Sequence, residues 1–156
     1  MKTTNFQLLD SNARGTWAEQ FAEWWLAQQG LEPHSKNYHR RVGELDLVLR
    51  DKANHSWVFV EVKYRKRNSL VTGVESITAA KRRRLWRTAR LFLQRANDQV
   101  SEARIDVLLI TPCETALPLS HPSMTSSALS FCADGHRQQI VNGHHLQWIQ
   151  NAIDGA

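Results

Sequence analysis

Two carboxylates and a lysine stand at a spacing that can do hydrolytic chemistry: Asp46 in GELDLVLR, then Glu61 and Lys63 in WVFVEVKYR. Both segments read as β-strands, whose side chains alternate faces with period two. In the first strand that alternation groups Leu45, Leu47 and Leu49 on one face, with Glu44 and Asp46 on the other. In the second, Val58, Val60 and Val62 share a face, and Trp57, Phe59, Glu61 and Lys63 share the opposite one. The link Asp51-Lys52-Ala53-Asn54-His55 is short, polar and turn-like, which predicts an antiparallel hairpin. With Arg50 opposite Trp57, Asp46 falls opposite Glu61 and Glu44 opposite Lys63. Opposed residues have Cβ atoms about 4.5–5.5 Å apart. Two carboxylates at that range repel unless a proton or a cation lies between them. An all-oxygen site with one or two carboxylates suits a hard divalent cation such as Mg²⁺. Charges on a half-exposed strand face are commonly just solvated. Here, however, Glu61 and Lys63 interrupt the apolar run Trp57-Val58-Phe59-Val60-Val62, and Glu44 and Asp46 break the stretch from Val42 to Leu49. A buried charge must be paired or must bind a metal.

The elements that position this hairpin follow from periodicity. From Ala13 to Gln29 the pattern is helical, with Trp17, Phe21, Trp24 and Trp25 on one face. Ser11 or Asn12 caps its start and Gly30 stops it. Glu19 lies on this helix, off the centre of the apolar face, where an ordinary surface glutamate is the plain alternative to a site residue. His34 to Arg41 reads as a short polar strand; its Lys36, Arg40 and Arg41 either reach phosphates or solubilise an edge. Ile77 to Gln94 is a second helix, with Leu85, Ala89 and Phe92 or Leu93 as its buried stripe. The rest of it is basic: Lys81, Arg82, Arg83, Arg84, Arg87 and Arg90, with no acid from Ile77 to Asn97. Arg83, Arg87 and Arg90 form one row. Like charges at that spacing destabilise a helix by about 0.2–0.5 kcal/mol per pair, so the row is easier to explain if phosphates occupy it.

Arg104 to Thr111 reads as a buried central strand, whose Asp106 is better explained as the partner of a nearby base, such as Arg104 or a helix arginine, than as a site residue. Thr111 to Gln139 is rich in Ser and Pro without a sustained period; it predicts a long loop spanning about 112–142, mobile in character. His144 to Ile153 predicts a short closing helix that packs Leu146, Ile149 and Ile153. His121, His136, His144 and His145 match no zinc spacing and read as scattered surface residues.

Composition bounds the rest. A chain of 156 residues implies one domain with room for a core. The net charge of +5 favours a polyanionic partner. Cys113 and Cys132, far apart and outside any CxxC pattern, read as free thiols of a reducing compartment. The amino terminus lacks the apolar core of a signal peptide, and no apolar stretch is long enough for a membrane span. A cytoplasmic protein with no membrane contact is the expectation.

The order of helix, polar strand, Asp46 strand, Glu61-Val62-Lys63 strand, basic helix and further strand resembles the PD-(D/E)XK nuclease core. More closely, the chain is similar to the YraN family, bacterial proteins related to archaeal Holliday-junction resolvases. The likeness rests on Gly15 with Glu19, NYHRRVGELDLV at 37–48, VFVEVKYR at 58–65, Gly73, Lys81 with the arginines behind it, RIDVLLI at 104–110 and the closing HHLQWIQNAI. Tyr64 departs from the small threonine common there, Leu45 replaces the proline of the superfamily name, and 112–142 has no counterpart. The resemblance implies an α/β, restriction-endonuclease-like core: a mixed sheet flanked by helices, in the order α-β-β-β-α-β followed by a C-terminal helix. It implies Asp46, Glu61 and the Val62 carbonyl as ligands of Mg²⁺ or Mn²⁺, with Glu19 acting through water. Lys63 would orient the attacking water, and Glu44 would tune the site or pair with Lys63. Arg40, Arg41, Arg65, Lys81, Arg83, Arg84, Arg87 and Arg90 would hold the nucleic-acid backbone, with DNA ahead of RNA as partner. A homodimer acting on branched DNA is one form of this reading. Two rivals stay open: a nucleic-acid-binding protein that keeps the fold but cuts nothing, and a scaffold that meets protein partners through 112–142.

Overall fold

In the computed structural model the described residues are 10–67, 73–97, 102–113, 129–131 and 135–154. Helix α1 (Ser11–Gln28) is followed by strands β1 (Leu31–Arg40), β2 (Gly43–Asp51) and β3 (Trp57–Tyr64). A 3₁₀ turn (Gly73–Ser76) leads into helix α2 (Ala79–Ala96) and strand β4 (Ala103–Pro112). Strands β5 (Ser130–Phe131), β6 (Arg137–Val141) and β7 (His144–Ile153) complete the order. All seven strands form one sheet, β1-β2-β3-β4-β7-β6-β5, in which only β3 and β4 run parallel. Parallel neighbours need a crossover, and α2 supplies it.

The sheet is covered on both faces. On one, α1 buries Phe21, Trp25 and Leu26 against Leu47, Leu49, Val58 and Val60. On the other, α2 buries Leu85, Ala89 and Phe92 against Leu45, Val48, Trp57 and Phe59. This double cover is why β3 reads as a continuous apolar run. The cap of α1 is Asp10, one residue before the expected positions, and it accepts from the Ala13 N–H at 2.8 Å. Thr78 caps α2.

The carboxyl-terminal segment corrects the sequence reading. His144–Ile153 is a strand, not a helix. Leu146, Ile149 and Ile153 do fall at helical spacing, but His144, Leu146 and Trp148 are buried at period two. The deciding signal is Asn142-Gly143, both at positive φ (49° and 73°) between β6 and β7. Asn-Gly between apolar runs is a strong hairpin signal because both central residues of such a turn take positive φ. That hairpin also makes 137–141, read as loop, a strand; residues 114–128 and 132–134 of the expected loop lie outside the described residues. His144 is buried beside Trp17 and Phe21 rather than on the surface, and burial lowers its pKa. His121 and Cys132 lie outside the described residues, and Cys113 is a free thiol.

Candidate active site

The site sits where the sheet forks. The β2–β3 ladder runs from Arg50↔Trp57, the expected register, to Leu47↔Val60 and ends there. Beyond it, β2 continues only against β1, and β3 only against β4. Asp46 is the first residue of one prong and Glu61 the first of the other. The expected Asp46–Glu61 ladder pair is therefore replaced by a side-chain bridge: Asp46 Oδ2 accepts from the Val62 N–H at 2.8 Å. The face alternation of β2 slips at the same place. Leu45 packs on the α2 side, whereas Leu47 and Leu49 pack on the α1 side, so the three leucines do not share a face. Released from β3, the strand is free to twist.

Glu61 is 2% exposed. Lys63 Nζ lies 2.7 Å and Lys81 Nζ 3.3 Å from its Oε1. Its Oε2 is buried with no hydrogen-bond partner among the described residues. Burial first, and the Glu61 charge second, push the Asp46 carboxyl up to about 7; the Val62 N–H holds it down, the charge of Glu19 raises it further and Lys81 lowers it. Asp46 therefore resists ionising beside the Glu61 carboxylate. A cation between them would relieve the repulsion and satisfy the orphaned oxygen. The chemistry of two carboxylates fits a hard cation such as Mg²⁺ or Mn²⁺, which takes oxygen ligands and keeps several waters. Among the described residues, no three His, Cys, Asp or Glu side chains converge into a ready-made metal cage. Glu19, half-buried on α1, acts on Asp46 through its charge.

Glu44 does not face Lys63. Its carboxylate lies 3.3 Å from His39 Nδ1 and 3.8 Å from Lys81 Nζ, so Lys81 links both glutamates. His39 was not singled out from the sequence. The two-residue turn between Arg40 and Gly43 sets His39 opposite Glu44, and that pairing was the available signal. Gly43 lets α2 approach this closely: its φ is 155°, and a Cβ there would lie 2.9 Å from Thr88 Oγ1.

The predicted phosphate-binding residues separate. Arg40, Arg41, Lys81 and Arg84 line a cleft of about 330 Å³ beside Glu44. Arg83, Arg87 and Arg90 line a different depression, with Trp86 and Asp154. Arg65 is held elsewhere, its guanidinium donating to Ser76 Oγ. Lys36 pairs with Glu23 of α1 at 3.7 Å. Asp106 is not at the site: Arg104 Nε reaches both of its oxygens at 3.1 Å, and the Trp148 Nε1–H and Asn151 N–H complete its shell.

Residues 18–110, from α1 to β4, match the family described as "Uncharacterised protein family UPF0102". The chain belongs to the UPF0102 family. This is the YraN-like family to which the GELD and EVK segments pointed. A UPF0102 protein of Nitrosococcus oceani is 41% identical over 99 residues, 63% of this chain and 78% of the relative. One from Dichelobacter nodosus is 36% identical over 111 residues, 71% of this chain and 86% of the relative. One from Vibrio cholerae is 31% identical over 147 residues, 93% of this chain and 95% of the relative. The UPF0102 match contains every residue of the fork, from Glu19 through Lys81, and stops before β5. Among the described residues no helix is long and apolar enough to cross a membrane.

Proposed function

We propose that this chain is a metal-dependent endonuclease that hydrolyses phosphodiester bonds in structured or branched DNA. The observation that carries the reading is the buried, unpartnered Glu61 Oε2 beside an Asp46 carboxyl pushed up to about 7. A stable fold gains nothing from two juxtaposed carboxylates with one oxygen unsatisfied. Asp46, Glu61 and the Val62 carbonyl would hold Mg²⁺ or Mn²⁺, with Glu19 joined through water. When bound, such an ion would supply charge neutralisation at the scissile phosphate and acidify the attacking water. Lys63, 2.7 Å from Glu61, would orient that water and stabilise the charge that develops on it. Lys81 and Glu44 position one another at the cleft mouth, and Arg40, Arg41 and Arg84 would hold the backbone without reading sequence. A homodimer, with one site for each of two strands, suits a branched substrate.

A second reading has its own support. Lys63 and Lys81 both lie on Glu61 Oε1, so protein cations alone offset part of its charge. On that reading the chain binds nucleic acid and cuts nothing. The test is incubation with labelled four-way junction, flap, single-stranded and linear DNA, and with RNA, in Mg²⁺ and in Mn²⁺. Cleavage by the native chain is expected, reduced about 100-fold or more in Glu61→Ala and abolished without metal. Binding without cleavage, unchanged by Glu61→Ala, would instead establish the non-catalytic binder.

A further inference from the structure

A second concavity lies on the α2 side of the sheet, with a volume of about 550 Å³, within the usual range of small-ligand sites. His34, Tyr38 and Arg40 of β1, Arg50 of β2, Trp57 of β3 and Arg95 of α2 line it. Three arginines face a single acid, Glu32. The Arg40 guanidinium lies 4.1 Å from the Tyr38 ring centre, and that of Arg50 lies 4.9 Å from the Trp57 ring. Edge-to-face packing on Phe92 accounts for the Tyr38 and Trp57 rings themselves. Arg50 Nε also donates to the His55 carbonyl at 3.2 Å, and Arg40 donates to the His39 carbonyl. The ring packing does not account for two buried polar atoms of the lining side chains. Trp57 is 3% exposed, yet its Nε1–H has no partner among the described residues, and neither has Tyr38 Oη. Buried indole N–H groups ordinarily find an acceptor. Arg40 is also part of the cleft beside Glu44, so it is a wall common to both cavities.

We propose that this pocket seats an unpaired nucleotide of the DNA strand that leads to the fork. Its phosphate rests on Arg40, Arg50 and Arg95, and its base lies against His34 and Tyr38. Aromatic faces and arginines together are the means by which proteins hold single strands without sequence preference. The inference rests on the nuclease reading for the identity of the strand, and it adds a single-stranded segment to the substrate.

The test is fluorescence anisotropy of the full chain with a labelled oligothymidylate and with a labelled duplex of equal length, in EDTA. Arg95→Glu is expected to weaken oligothymidylate binding about tenfold or more, and duplex binding by less than about threefold. Lys52→Glu, the same charge reversal on the exposed β2–β3 turn, is expected to leave oligothymidylate affinity within about twofold. Arg95→Lys, which keeps the charge, should retain most of the binding, and a melting curve verifies that Arg95→Glu is folded. Equal losses in Arg95→Glu and Lys52→Glu, or equal losses for strand and duplex, would overturn the proposal, because the pocket would then add only general charge. Thymidine monophosphate binding as tightly as the oligonucleotide would overturn it too, by making the pocket a small-molecule site. The readout needs neither metal nor cleavage. A chain that cuts nothing can still pass it, and a nuclease that acts on branched DNA but does not bind oligothymidylate fails it.

Discussion

At the scale of single residues, half-buried Asp46 and fully buried Asp106 are two carboxylates in different surroundings. Asp46 has one main-chain N–H and a like-charged neighbour, and its pKa rises to about 7. Between the ordinary value of 3.8 and about 7, the folded chain keeps a proton that the unfolded chain has lost. Stability of the metal-free protein therefore falls as pH rises through that window, with a slope approaching about 1.4 kcal/mol per unit, and levels off above it. Urea unfolding at a series of pH values measures this, and Asp46→Asn, which can still accept from Val62, should flatten it. If the site holds Mg²⁺ as proposed, added Mg²⁺ should act in the reverse sense, stabilising more at neutral pH than at about pH 5, because Asp46 would have to lose its proton to bind it. Asp106 is raised by burial but is held by Arg104, Trp148 and Asn151. Asp106→Ala leaves Arg104 inside without that partner and is expected to cost about 3–5 kcal/mol in the same unfolding measurement.

At the scale of elements, the distance between β2 and α2 sets the site. Lys81 reaches both Glu61 and Glu44 only because the helix lies close over the start of β2. Gly43 is the contact that permits this. Gly43→Ala brings a Cβ against Thr88 Oγ1 and takes a φ of 155° that side chains avoid. It is expected to lose about 1–3 kcal/mol of stability. If the nuclease reading holds, cleavage should drop further than that loss explains, as α2 moves away and takes Lys81 with it. Comparing unfolding and cleavage in one variant separates the two effects.

At the scale of the whole molecule, the positive charge is not one continuous stripe. Arg40, Arg41, Lys81 and Arg84 border the fork, whereas Arg83, Arg87 and Arg90 line a separate depression. DNA held at the fork should feel the first group most. Binding is expected to fall linearly on a plot of log affinity against log salt. Arg41→Ala and Arg84→Ala should each reduce the slope by about one, without changing sequence preference. A slope unaltered by either variant, but reduced by Arg87→Ala, would move the backbone path to the other side of α2.

The local pattern alone determined much of this. The short polar turn made the β2–β3 register at Arg50 and Trp57 legible, because so few residues between two strands leave little freedom for how they pair. The interrupted apolar run marked Glu61 as a buried charge, and it is 2% exposed. The pairing of Asp106 with Arg104 was legible because a buried carboxylate needs a partner and the base lay two residues away. The closing strand was legible in part: its helical and strand periods compete, and the Asn142-Gly143 turn that decides between them lay just ahead of the segment read as helix. Other features were not local at all. The β2–β3 ladder ends at Leu47↔Val60 because the two prongs bond to different neighbours, β1 and β4, far apart in the chain. Only that divergence leaves Asp46 to bridge to Val62 and brings Lys81, twenty residues beyond Glu61, onto the same carboxylate oxygen as Lys63. Residue type and spacing name the groups that can do chemistry, but their distances are set by packing between elements that no local pattern encodes.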